Sequence, residues 1–86
     1  MNISKAEQRV LHVLALGGQI RHFFDDRGRI AEILCFTHDG AVLDGVTLPL
    51  FHRLRRRGLI SSRGGAPYRI TRLGRQRVRA QPDNQG

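Results

Sequence analysis

The sequence contains no tryptophan, one cysteine, one methionine, one tyrosine and a single lysine. The lone Cys35 excludes an internal disulfide and any zinc site assembled from several cysteines. No run approaches the roughly 18 apolar residues that would span a bilayer. The opening Met1-Asn2-Ile3-Ser4-Lys5 has neither the basic n-region nor the apolar h-region of a secretory signal, so a reduced, cytoplasmic protein is expected. With 86 residues there is room for one small domain, and a chain of this size buries only about 60% of its unfolded surface. The expected organisation is a single domain over residues 1–80 and a flexible C-terminal tail over 81–86.

The most telling absence is acid in the second half. Residues 1–44 hold five basic and six acidic side chains, whereas residues 45–82 hold ten arginines and no acid. Asp83 then leaves the whole chain at +8, with fourteen of its fifteen basic residues arginine. A one-signed half projects a strong positive field, which attracts double-stranded DNA or an acidic protein surface. Arginine suits such partners because its planar guanidinium binds bidentately and stays charged.

Ser4-Lys5-Ala6-Glu7 reads as a capping box, followed by Ala6, Val10, Val13 and Leu14 at helical spacing, with Leu11 off the stripe. Gly17-Gly18 ends this helix, predicted over 5–16. Gln19 to Asp25 alternates, with Ile20, His22 and Phe24 on one side; Arg29 to Thr37 pairs back across Asp25-Asp26-Arg27-Gly28. Residues 38–45 read either as a loop or as one more short strand. Thr47 caps a second helix with Pro49 in its first turn and an apolar stripe of Leu48, Phe51 and Leu54, joined by Leu50. After Gly58, a hairpin is predicted over 59–63 and 68–71, then a last helix capped by Thr71 and anchored by Leu73 and Val78. The fold class is therefore α+β, a small winged-helix-like domain of order α-β-β-(short)-α-β-β-α.

Leu54-Arg55-Arg56-Arg57-Gly58-Leu59-Ile60 and Tyr68-Arg69-Ile70-Thr71-Arg72-Leu73-Gly74 resemble the recognition helix and wing of winged-helix regulators. The hairpin where such domains carry a further helix, over 19–46, departs from that pattern. Nearly the whole chain is also similar to the YjhX family of small bacterial proteins. The similarity lies in Met1-Asn2-Ile3-Ser4, Glu7-Gln8-Arg9, Leu11-His12-Val13-Leu14-Ala15, Gly17-Gly18, Pro67-Tyr68-Arg69-Ile70 and Val78-Arg79-Ala80-Gln81. That resemblance implies the toxin half of a toxin–antitoxin pair. It implies a cytoplasmic growth inhibitor held by a cognate acetyltransferase-like antitoxin, with DNA topoisomerase I as the target proposed for the family.

Read from the residues, catalysis and metal binding find little support. His12, His22, His38 and His52 lack the helical i, i+4 spacing of zinc sites. Cys35, within Ile33-Leu34-Cys35-Phe36, reads as a small core residue, and His38-Asp39 has no orienting third group. No enzyme activity, metal or cofactor is expected. The basic constellation carries the function instead: His52, Arg53, Arg55, Arg56 and Arg57 on the second helix, Arg63 at the hairpin, then Arg69, Arg72 and Arg75. Two readings share it. One is a non-enzymatic toxin that grips a macromolecular target. The other is a DNA-binding regulator with helix 47–57 in the major groove and hairpin 59–71 as wing. Single-stranded nucleic acid is disfavoured because Phe24, Phe36 and Phe51 are assigned to the core, leaving only Phe23 and Tyr68 for base stacking. On the DNA reading, replacing Arg53, Arg56 and Arg57 together with alanine abolishes binding and leaves the fold intact.

Overall fold

Three helices and two small antiparallel sheets form an α+β fold in the computed structural model, which describes residues 3–79. The tail expected over 81–86 lies outside the described residues. Helix α1 (Lys5–Ala15) starts on the expected capping box: Ser4 Oγ accepts from the Glu7 amide at 3.1 Å, and the Ser4 amide donates to Glu7 Oε1 at 2.8 Å. It ends at Leu16, and Gly17 takes the left-handed φ of 108° that lets the chain leave the helix. Its buried arc is rotated from the expected one. Leu11 is at the centre and Ala6 is exposed, because the helix packs against both of the other helices and not against one surface.

Strands β1 (Gln19–Phe24) and β2 (Ile30–Phe36) pair with Ile20 opposite Cys35 and His22 opposite Ile33, and this side faces the core. Arg21, Phe23 and Leu34 occupy the other, exposed side. The register shifts between Phe23 and Phe24, so that Phe24 opposes Ile30 and Ala31 is supernumerary, a β-bulge. The turn is held by Asp25 Oδ1, which accepts from the amides of Arg27 at 2.8 Å and Arg29 at 3.0 Å. Phe24 was expected in the core and is instead 61% exposed. Its direction is the predicted one, but the strand runs past the last layer of side chains that could cover it. Residues 38–46 form a loop whose Val42 bridges back to Phe36.

Helix α2 (Leu48–Arg56) begins where Thr47 Oγ1 accepts from the Leu50 amide at 3.3 Å, tolerates Pro49 in its first turn, and buries Leu50, Phe51 and Leu54. Strands β3 (Ile60–Ser61) and β4 (Arg69–Ile70) are shorter than predicted. Tyr68, next to β4, pairs on the other edge with β1. Its amide donates to Ile20 O at 2.7 Å and its carbonyl accepts from the Ile20 amide at 2.9 Å, so the second hairpin is stitched to β1. Phe51, Leu11, Leu14, Ile20 and Leu54 fill the centre of the resulting core.

Helix α3 (Arg72–Arg79) starts on Thr71, whose Oγ1 accepts from the Gly74 amide at 3.0 Å and donates to Gly58 O at 2.6 Å. Leu73 does not anchor it as expected: that side chain is exposed, while Val78 packs partly against the core. The buried residue is Gly74. Backbone meets backbone there, since a Cβ on Gly74 would press on the Leu59 carbonyl oxygen and stand 2.7 Å from Ile70 Cγ1. Among the described residues no helix is long and apolar enough to cross a membrane.

Gly74→Ala therefore tests whether α3 is seated by close approach. Helix propensity alone favours alanine by about 1 kcal/mol, yet overpacking of this kind costs about 1–3 kcal/mol. The expected result in urea denaturation is a net loss of stability. A gain would mean that α3 sits more loosely than described.

Candidate partner-binding face

The side of α2 opposite its apolar residues carries His52, Arg53, Arg55, Arg56 and Arg57, and the fold divides them. Arg53 and Arg57, one helical turn apart, converge on the carboxylate of Glu7 in α1. Arg53 Nε and Arg57 Nη1 each donate to Glu7 Oε2 at 3.4 Å, and the Glu7 side chain is only 3% exposed. Burial pushes the Glu7 pKa up. That effect is outweighed by the backbone and side-chain hydrogen bonds from Ser4 and by the charges of Arg57 and Arg53, so the carboxyl lies below its ordinary value. Two residues assigned to a free recognition surface thus hold α2 against α1. The expectation that the triple alanine variant leaves the fold intact is corrected accordingly, because it would strip a buried carboxylate of both cations.

Arg69 and Arg75 are also engaged. Arg69 Nη1 donates to Gly17 O at 3.4 Å and Arg75 Nη1 to Ala15 O at 3.3 Å, which brings two cations to the negative end of α1. Arg55, Arg56, Arg63 and Arg72 are exposed and have no acceptor among the described residues. Arg63 and Arg72 meet Arg69 along a groove of about 580 Å³ floored by Pro67, Ile70 and Thr71. Arg55 and the half-buried His52 turn the other way, into a cleft of about 630 Å³. His52 is braced by a tilted contact with Phe51 at 5.2 Å. Arg56 and Arg75 line neither concavity.

Of the residues lining that cleft only His52 and Arg55 are among the expected site residues; the β1–β2 hairpin adds His22, Phe24 and Arg29. The adjacent pair Phe23-Phe24 was the available signal, since an alternating strand cannot send both rings into one core. Glu7 was recognised as a cap but not as a partner for distant arginines, and nothing local announces a contact across 46 or 50 residues. Cys35 is buried as predicted, and desolvation pushes its thiol up to about 11. Among the described residues no group of three His, Cys, Asp or Glu side chains is placed to hold a metal ion.

A family model described as "putative toxin of bacterial toxin-antitoxin pair", YjhX_toxin, matches residues 1–85. A UPF0386 protein of Beijerinckia indica is 60% identical over 84 residues, covering 98% of this chain and 99% of its own. One from Cereibacter sphaeroides is 57% identical over 86 residues, covering 100% and 99%, and one from Aliivibrio fischeri is 53% identical over 81 residues, covering 94% and 95%. No solved structure matches the chain.

The Glu7 cluster makes a pH-resolved prediction. A carboxyl whose folded pKa is depressed contributes stability that is present above its unfolded pKa of about 4.3 and lost as pH falls through the lower folded value. Glu7→Gln should cost about 2 kcal/mol near pH 7, the range for hydrogen bonds to a charged group, since both guanidinium groups keep contact with water. The gap between the two proteins in urea denaturation should close as pH drops below about 4. A gap that stays constant to pH 3 would assign the loss to packing alone.

Proposed function

The chain belongs to the YjhX toxin family, and on that premise we propose that it inhibits growth in the cytoplasm without catalysis, by gripping a macromolecular target through its arginine face. The observation that carries this is the division of labour among the arginines. Arg53 and Arg57 bind Glu7, and Arg69 and Arg75 bind the end of α1, whereas Arg55, Arg56, Arg63 and Arg72 are left without an internal acceptor. No acid occurs between residues 45 and 82 to neutralise them. A rigid display of unpaired cations selects an acidic surface and speeds encounter with it. The target on this reading is DNA topoisomerase I, as the family resemblance implies, and an acetyltransferase-like antitoxin masks the protein until release. A non-catalytic mode is supported by the burial of Cys35, whose raised pKa keeps the thiol protonated at neutral pH.

A second reading, the DNA-binding winged helix, is favoured by one specific observation. The Ile20–Tyr68 pairing sets a third strand beside the β3–β4 hairpin, directly after α2 in the chain, which is the layout of a recognition helix followed by a wing. On that reading Arg55 and Arg56, and not Arg53 and Arg57, approach the bases or phosphates of duplex DNA, with Arg63 on the wing.

The paired substitution Arg55→Glu/Arg56→Glu leaves the Glu7 cluster untouched and separates these outcomes. Inhibition of topoisomerase I relaxation by the purified protein should weaken about tenfold or more in the variant, as for loss of close interfacial charge pairs. Growth inhibition on induction should fade with it. Parallel titration of a 30-base-pair duplex across a salt series identifies the alternative. Micromolar binding at physiological ionic strength, with a slope matching several released counterions and no effect on relaxation, would replace the toxin-target reading by the regulator.

A further inference from the structure

The cleft beside Arg55 holds more than the arginine face requires. Three elements close it: the β1–β2 hairpin supplies His22, Phe24 and Arg29, α2 supplies His52 and Arg55, and the second hairpin supplies Tyr68 at its base and Gly65 at its tip. We propose that this cleft binds an unpaired nucleotide, stacking the base on Phe24 and holding its phosphate between Arg29 and Arg55.

Shape, charge and apolar surface agree on that occupant. At about 630 Å³ the cleft lies within the usual range for small-ligand sites, roughly 300–1,000 Å³. Its lining has two arginines, two histidines and no carboxylate. The nearest acid in sequence, Asp25, spends an oxygen on the turn amides of Arg27 and Arg29 and lies outside the lining. Phe24 is 61% exposed, yet it is not loose: the His22 ring meets it edge-on at 5.2 Å, and the opposite neighbour of His22 is Tyr68, at 5.1 Å. Tyr68 in turn rests edge-on against the fully buried Phe51 at 4.9 Å. A chain of rings thus runs from the core to an exposed phenylalanine, which fixes a flat apolar surface at the mouth of a cationic cleft. Aromatic platforms flanked by arginine are how proteins bind bases without pairing them.

Gly28 and Gly65 border open space at the cleft, since a Cβ at either would meet nothing within 4 Å. A duplex would not fit this chemistry, because its bases are stacked and paired and show no free face to Phe24. A base and its phosphate can come either from a free mononucleotide or from a single strand, and the cleft is open enough for both.

The test uses the full chain and a fluorescently labelled single-stranded DNA octamer at physiological ionic strength, beside an abasic octamer of equal charge. The base-bearing strand should bind at least about tenfold more tightly than the abasic one, in line with one stacked base. Phe24→Ala should erase that difference, while Arg9→Glu, exposed on α1 and outside the cleft, should preserve it. Competition with AMP then identifies the source. Displacement of the octamer marks a free nucleotide as occupant, and no displacement marks a strand. Equal binding of the two octamers by the unaltered protein overturns the proposal with no variant involved. So does an unchanged preference in Phe24→Ala. The outcome is independent of the target-binding proposal, since Phe24→Ala leaves Arg55 and Arg56 in place and relaxation inhibition reads them separately.

Discussion

One carboxylate sets how the first two helices of this fold meet. Glu7 is charged, almost wholly buried, and shared between the cap of α1 and two arginines of α2. A buried charge is tolerated only when its hydrogen-bonding capacity is filled, so the crossing of the two helices cannot vary much without orphaning it. That crossing fixes the rotation of α2 about its axis. With Arg53 and Arg57 turned inward to Glu7, and Leu50, Phe51 and Leu54 turned into the core, Arg55 and Arg56 are the ones left facing solvent. The outward display is the complement of the inward anchoring.

The charge asymmetry along the chain has the same double meaning. The arginine-rich half looks like a footprint for an external anion, and only part of it is left without an internal acceptor. Four of its arginines serve the N-terminal half instead, two at the carboxylate near the start of α1 and two at the carbonyls of Ala15 and Gly17 at its other end. Helix α1 is thereby held at both ends by cations from later in the chain, an arrangement in which helix dipole and buried acid are matched by the same residue type. Counting arginines overestimates the binding surface for this reason.

The order of elements was legible because each boundary is marked locally. Ser4 with Glu7, Thr47 with Pro49, Thr71, and the glycines after α1 and α2 each act within a few residues. What escaped was set by distant neighbours. Leu73 looks like an anchor in a helical pattern, but α3 approaches Leu59 so closely that only Gly74 fits between them. Phe24 points inward by strand parity and is nevertheless exposed, because parity gives direction and not depth. Tyr68 reads as part of a local hairpin, and its second pairing, with Ile20 of β1, is not announced locally. Of the candidate site, the residues on α2 and the second hairpin were found from charge, whereas the contribution of the first hairpin depends on which side chains the bulge leaves uncovered.

The contacts that lock α1 in place join residues 46, 50, 52 and 60 positions apart. Such separations are large for so short a chain, and ordering them before the core exists carries a loop-closure cost. The cations that hold α1 consequently all come from the later half of the chain. A nascent chain that has emerged only as far as the middle of α2 offers Glu7 no cation and displays no assembled cationic surface. The contact of Arg75 with Ala15 O, the last of the four, closes only when the final helix is in place.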